Sequence, residues 1–288
     1  MSNETSGIVL VVGAGTMGGG IAQVAAAAGE KVYLYDTAAD APRRALDRMA
    51  VSLRRAAEKG HVASDAVEAT LKNIAPQTSL ECACACSTVI EAVKEDPKIK
   101  QEVFRQIEHL VSDSALLCTN TSMLSITGLA AGLRIPARFC GTHFFNPVPR
   151  MKLVEVIAGE KTSPATTEAA RAMVARWGKT PVMAPDSPGF IVNRVFDAIK
   201  REALQLHEEG VDVGQIDEAL RLGLNFPMGP FELMDLIGLD TTYDCLVNQA
   251  RQMKRPADFG TVLPKLVAAG QTGRKVGKGF FDHAEPRP

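Results

Sequence analysis

The first apolar run, GIVLVVGAGTMGGGIAQVAAAAGEKVYLYD, changes its period twice. A short β-branched strand ends at Val12, an alanine-rich helical pattern opens near Thr16, and a second strand runs from Lys31 to Tyr35 and ends on Asp36. The first strand shows no polar alternation, as expected of a parallel strand covered on both faces. Helical patterns then run from about Ala38 to Glu58 and from Ser64 to Lys72. That is more than a simple crossover needs, so it predicts an inserted helical hairpin, which carries Arg54, Arg55 and Lys59 as a candidate anion-facing patch. The strand STVIEAV follows, then a helix opened by Asp96 and Pro97, where Asp can cap free amides and Pro suits the first helical position. Next come the strand ALLCTN, a short helix from Ser125, a strand ending near Phe144 and another from Lys152 to Ile157. A helix opened by Ser163 and Pro164 and a last strand, TPVMA, complete the series. The alternation predicts an α/β fold of the Rossmann type, a largely parallel sheet with helices on both faces.

The turn PDSPG at 185–189 ends this pattern. Beyond it only helical segments are legible, Phe190 to Glu208, Val213 to Arg221, Pro230 to Gln252 and Phe259 to Ala269. The expected organisation is a dinucleotide-binding domain over residues 1–186 and an all-α domain over residues 187–288.

Composition narrows the partners. Hydrophobic residues make up 46% and charged residues 23%, the balance of an ordinary folded chain. Lys and Arg number 32 against 33 Asp and Glu, a net charge of -1, so neither nucleic acid nor a membrane surface is expected as a partner. The start, MSNETSG, lacks the features of a signal or transit peptide, and no stretch approaches a membrane span, which makes the cytoplasm the expected location. Six cysteines stand at 82, 84, 86, 118, 140 and 245, with none of the two-residue gaps that thiolate zinc sites favour. In ECACACST the spacing of two would set three sulfurs on one face of a strand, where small buried hydrophobes, and no metal, are expected.

Gly13-Ala14-Gly15-Thr16-Met17-Gly18 fits G-x-G-x-x-G, and it sits where the pattern carries chemistry, after a strand and at the opening of a helix. The first glycine permits the tight turn, the second admits a pyrophosphate, and the third lets helix and strand pack closely. Asp36, 18 residues after Gly18, ends the second strand, where a carboxylate accepts from ribose hydroxyls and repels a 2′-phosphate. Thr37, Ala38 and Ala39 supply no arginine, so NAD is expected over NADP. The alternative is a glycine turn with an aspartate that caps the next helix.

In GTHFFNPVPRMKLVEVI, His143 precedes Glu155 by twelve residues. An alcohol dehydrogenase needs a base that titrates near the working pH, and a carboxylate that fixes the tautomer of that base. The pattern alone favours a half-buried histidine bonded to backbone, with Glu155 an ordinary strand-end charge. His61, His109, His207 and His283 fall on polar helix faces or the tail and are expected to be solvated.

Taken together, VVGAGTMGGGIAQ, TNTSMLSIT, GTHFFNPVPRMKLVEVI, DSPGFIVNR and FPMGPFELMDLIGLD resemble the L-3-hydroxyacyl-CoA dehydrogenase family, in particular bacterial 3-hydroxybutyryl-CoA dehydrogenases. The resemblance spans nearly the whole chain. It implies NAD as cofactor, an acyl-CoA substrate, His143 as catalytic base with Glu155 as its partner, and Ser122 and Asn193 against the reacting hydroxyl and thioester. It further implies cofactor contacts at Asp36, Glu95, Lys100, Ser122, Asn146 and Lys275, coenzyme A contacts at Ser52, Lys59 and Ser122, and a homodimer built on C-terminal helices that include Phe231 to Leu239. Met123 departs from the family pattern, which has a serine there. Two other functions share this scaffold, a dehydrogenase of a sugar acid or other hydroxy acid and a non-catalytic NAD-binding protein.

Overall fold

The computed structural model describes residues 7–283, so the reading of the first six residues as free of a targeting signal lies outside the described residues. The chain forms two compact units, residues 1–190 and 191–288.

In the first unit, β1 (Ile8–Val12), α1 (Thr16–Ala27) and β2 (Val32–Tyr35) lead into the hairpin α2 (Ala41–Glu58) and α3 (Ser64–Lys72). There follow β3 (Ile74–Gln77), β4 (Cys86–Glu91), α4 (Pro97–Ile107), β5 (Leu116–Thr119), α5 (Ile126–Ala130), β6 (Phe139–Phe144), β7 (Leu153–Ala158), α6 (Pro164–Arg176) and β8 (Thr180–Ala184). The eight strands form one sheet in the order β3-β2-β1-β4-β5-β6-β7-β8. Every pairing is parallel except β6 with β7. Because the sheet is covered on both sides, successive residues of β1 serve different cores. Val9 and Val11 join Ile21, Leu34 and Trp177 on one side. Leu10 and Val12 join Phe104, Phe139 and Phe190 on the other. That division is why β1 reads as continuously apolar.

The caps act as expected. Asp96 accepts from the amides of Lys98 and Ile99 ahead of Pro97, and Ser163 accepts from Thr166 ahead of Pro164. Two sequence expectations change in this unit's sheet and turns. Strand β3 was not foreseen, since its four residues IAPQ include Pro76; the strand is an edge, as is β8 with Pro181, and an edge tolerates a missing amide donor. Cys82 and Cys84 lie in a 3₁₀ turn over Leu80–Ala85, and only Cys86 enters a strand, so the three sulfurs do not share a strand face. Cys84 is exposed and Cys86 buried. The turn forms because Ser79 accepts from the Glu81 amide at 3.2 Å and starts it one residue after β-type backbone.

The second unit comprises α7 (Val192–Glu208), α8 (Val213–Leu224), α9 (Pro230–Ile237), α10 (Leu239–Gln252) and α11 (Val262–Ala268) around Leu204, Phe231, Met234 and Leu246. The single helix expected over 230–252 is broken at Gly238, whose φ of 105° no helix accommodates. Phe231, Met234 and Leu239 are spent on this unit's own core, which leaves Leu236 and Ile237 as the exposed apolar residues of that segment. The units divide four residues later than the predicted 186, for a physical reason. Asp186 caps α5, accepting from the amides of Ile126 and Thr127 at 2.8 Å each, and Phe190 is buried in the core of the first unit.

A Cβ placed on Gly18 would stand 1.8 Å from the carbonyl oxygen of Gly13, a backbone atom that cannot step aside. Gly18→Ala is therefore expected to destabilise the first unit by at least ~1–3 kcal/mol, the usual cost of overpacking. Urea denaturation checks this, and an unchanged midpoint would contradict the tight helix-strand contact.

Candidate active site

The carboxyl ends of the parallel strands are stitched into one edge. Gly13 donates to the Tyr35 carbonyl at 2.8 Å, Ala92 to Val12 at 2.7 Å and Asn120 to Glu91 at 2.7 Å. Asn120 then accepts from the Phe144 amide through its side-chain oxygen at 2.9 Å, which carries the line to β6. Ligands of open parallel sheets bind along such an edge.

At one end, Gly13 turns the chain with φ of 104°, and a Cβ there would meet the Ala92 carbonyl at 2.5 Å. Gly15 is different: a Cβ on it would meet nothing within 4 Å, so its surface faces open space. As the N-cap of α1 it has no side chain with which to satisfy the first amides, among them those of Thr16 and Met17. Asp36 accepts from the Ala14 amide at 2.8 Å and the Ala38 amide at 3.0 Å, and a carboxylate retains further lone pairs after two such bonds. An open glycine, uncapped amides and a half-buried carboxylate beside them fit a dinucleotide. The structure adds one residue that sequence reasoning missed. Arg48 of α2 donates to the Ala14 carbonyl at 3.3 Å, and a helical position twelve residues past Asp36 gave no local signal of this approach.

In the middle lies a buried charge network. Glu91, fully enclosed at the end of β4, accepts from Lys100 Nζ at 2.7 Å, from the Thr119 hydroxyl at 2.6 Å and from the Val93 amide at 2.6 Å. Burial pushes the Glu91 carboxyl above its ordinary range, while Lys100 and the other donors pull it back. Lys100 is itself fully buried and also lies 3.2 Å from Glu95. Glu95 in turn accepts from Thr121 Oγ1 at 2.5 Å, and from the Ser122 amide and hydroxyl at 2.9 and 3.3 Å. Of the residues expected at the site, the structure thus brings Glu95, Lys100 and Ser122 together and adds Glu91. Met123 follows Ser122 half-buried.

At the other end, the antiparallel register sets His143 directly opposite Glu155. Nδ1 of the imidazole is 2.7 Å from Glu155 Oε2, with the glutamate fully buried and the histidine 6% exposed. A carboxylate accepts only, so Nδ1 carries a proton, and the lone pair of a neutral ring is on Nε2. Phe145 and Phe190 flank the imidazole at centroid distances of 4.3 and 5.7 Å. Asn146 follows, joined to Pro147 by a cis peptide.

The remaining candidates lie on other elements. Ser52 and Lys59 are exposed on α2 and its C-cap, and the neighbouring Arg54 is paired with Glu68 at 3.1 Å. Asn193 lies in the first turn of α7 in the second unit, where Lys275 forms an ion pair with Asp240. Two of the histidines expected in solvent are engaged. His283 Nε2 lies 2.8 Å from the buried Asp235, and His207 Nδ1 lies 3.0 Å from the Val211 carbonyl, with its ring against Phe231 and Phe280.

Residues 8–187 match the family description "3-hydroxyacyl-CoA dehydrogenase, NAD binding domain", and residues 189–283 match its C-terminal domain. The chain is 43% identical over 277 residues to a 3-hydroxyadipyl-CoA dehydrogenase of Escherichia coli, covering 95% of this chain and 58% of that protein. It is 40% identical over 275 residues to the fatty acid oxidation complex subunit alpha of Idiomarina loihiensis, covering 94% of this chain and 38% of the relative. The chain therefore spans little more than half, or less, of those two proteins. The crystal structure of (S)-3-hydroxybutyryl-CoA dehydrogenase from Ralstonia eutropha superposes with a TM-score of 0.92 at 37% identity, over 98% of this chain and all of that one.

Lys100→Met leaves the Glu91 carboxylate buried without its cation, an expected loss of about 3–5 kcal/mol at neutral pH. The sign of its pH dependence follows from the direction of the shift. An acid held above its ordinary value of 4.5 in the folded state binds more protons there than in the unfolded chain, so stability is greatest below 4.5 and falls as pH rises through the elevated value. Denaturation midpoints of the variant should approach those of the parent at acid pH and diverge above it. A gap that does not change with pH would place the loss outside Glu91.

Proposed function

The chain belongs to the 3-hydroxyacyl-CoA dehydrogenase family, and on that premise we propose that it oxidises (3S)-3-hydroxyacyl-CoA, in particular 3-hydroxybutyryl-CoA, reversibly to the 3-oxoacyl-CoA. The observation that carries the reading is the buried 2.7 Å contact of His143 Nδ1 with Glu155, on the strand edge that also holds the glycine loop. NAD, when bound, supplies the acceptor of the hydride that leaves the hydroxyl-bearing carbon.

The chain's own residues manage the proton. His143 Nε2 takes it from the substrate hydroxyl in oxidation and returns it to the carbonyl oxygen in reduction. Glu155 holds the ring in that tautomer and balances the imidazolium once it forms, which matters more in an enclosed site than in water. Ser122 offers a hydroxyl to the substrate oxygen, and its amide and side chain are both tethered by Glu95. We assign Asn193 an amide contact with the thioester carbonyl, and Asn146 and Lys275 contacts with the cofactor. Exposed Ser52 and Lys59 meet coenzyme A, and Lys59 supplies a cation to its phosphates. The exposed Leu236 and Ile237 belong to the surface on which two copies of the chain pair.

An NADH-coupled assay over acetoacetyl-CoA, longer 3-oxoacyl-CoAs and dicarboxylic ones tests the substrate class. His143→Ala is expected to lower kcat by ~10²–10⁴-fold with little change in the Kd of NADH. Full turnover by that variant would sink the assignment. Lys59→Ala should raise KM for acetoacetyl-CoA several-fold at low salt and less at high salt, because an exposed cation acts through a screened field. Equal KM values in both proteins would remove Lys59 from the coenzyme A contacts.

A further inference from the structure

The three arginines in the first half of α2 differ in their surroundings. Arg43 pairs with Asp47 and Arg44 with Asp40, each one helical turn away. Among the described residues Arg48 has no carboxylate partner; its hydrogen bond runs to the Ala14 carbonyl, inside the glycine loop. The Ala14 amide is held by Asp36. A guanidinium and a carboxylate therefore grip the two sides of one loop residue without forming an ion pair with each other. A guanidinium has five N–H groups, so most of those on Arg48 remain for another acceptor.

Resting on the dinucleotide reading above, we infer that Arg48 is a specificity-determining residue of the cofactor site: it is the cation that a phosphate on the adenosine ribose meets. Rejection of the 2′-phosphate of NADP is then the work of Asp36 alone, opposed by Arg48. The sequence after Asp36 shows no arginine, but the fold returns one to the same loop from the second turn of α2. A 2′-phosphate carries close to two negative charges, and a guanidinium binds phosphate oxygens through two parallel N–H donors. The 2′-hydroxyl of NAD carries no charge and gains little from the same group. The preference for NAD is consequently narrow, and removing one carboxylate reverses it.

The test is direct titration of NADH and NADPH, followed by nicotinamide fluorescence, on the full chain and its variants. Asp36→Ser should tighten NADPH by about tenfold or more, the gain from one relieved repulsion beside a charge-assisted bond. Asp36→Ser combined with Arg48→Gln should lose most of that gain, whereas Asp36→Ser with Arg48→Lys, which keeps the charge, should retain much of it. Arg48→Gln alone should weaken NADPH several-fold and NADH by about twofold or less. The NADPH differences should shrink as salt is raised. NADPH affinity that is the same with and without Arg48 in both backgrounds overturns the inference. The titration contains no acyl-CoA, so its outcome stands whether or not a 3-hydroxyacyl-CoA is turned over. Normal acyl-CoA turnover beside an inert Arg48 would leave the enzymatic reading intact and discard this one.

Discussion

The arrangement depends on a single buried carboxylate. Glu91 ends β4 with no solvent, and it is kept there by three donors that come from three directions: the ammonium of Lys100 on α4, the hydroxyl of Thr119 on β5 and the amide of Val93 in the loop that follows. Enclosing a charge costs several kcal/mol, and the cost is offset only while its partners keep good geometry. The position of α4 relative to β4 and β5 is thereby fixed. Two lines lead outward from this point. Through Lys100 and Glu95 it reaches Ser122, and through its own carbonyl it holds Asn120, whose side chain holds the Phe144 amide next to His143. The groups proposed to touch substrate are in this way supported by a network whose disturbance is felt as a loss of folding energy.

Features written in neighbouring residues were legible in the sequence. The parallel strands, the inserted hairpin, the caps at Asp96 and Ser163 and the glycine loop all depend on contacts within a few positions. The His143 and Glu155 pair was legible as two residues and not as a contact, since the contact requires the register of β6 on β7. The burial of Glu91 and its pairing with Lys100 were obscured for a similar reason: a glutamate at the end of a strand and a lysine on an amphipathic helix ordinarily face water, and only the packing of α4 on the sheet encloses them. Arg48 and Asp36, His283 and Asp235, and the edge strand β3 all rest on contacts between segments far apart in the chain. The break at Gly238 stands apart, because glycine inside a helical pattern only weakens it, and a φ of 105° is what turned weakness into a stop.

The two ends of the site use charge in opposite settings. Asp36 and Arg48 stand at the surface, where fields are screened, and the value proposed for them lies in telling one anion from another. His143 and Glu155 stand where water is excluded, so a charge that develops on the imidazole is felt strongly by a carboxylate 2.7 Å away. Discrimination needs reversible contacts of modest strength. Proton transfer needs a ring that does not rotate.

Phe190 shows how the second need is met. It takes φ of 50° directly after Gly189 at 79°, so the chain passes through two left-handed residues, and the second is a bulky aromatic. Left-handed backbone costs a side-chain-bearing residue about 1–2 kcal/mol, which glycine would avoid. Glycine would also remove the ring. Phe190 is 1% exposed, belongs to the buried cluster that holds Phe104 and Phe139, and sets its ring 5.7 Å from the imidazole of His143. Burying such a side chain contributes ~1.5–3 kcal/mol, enough to outweigh the backbone term. The residue therefore serves the stability of the first unit and the immobility of the proposed base at once. That double duty is a physical reason for an aromatic side chain in a backbone position that, taken alone, calls for glycine.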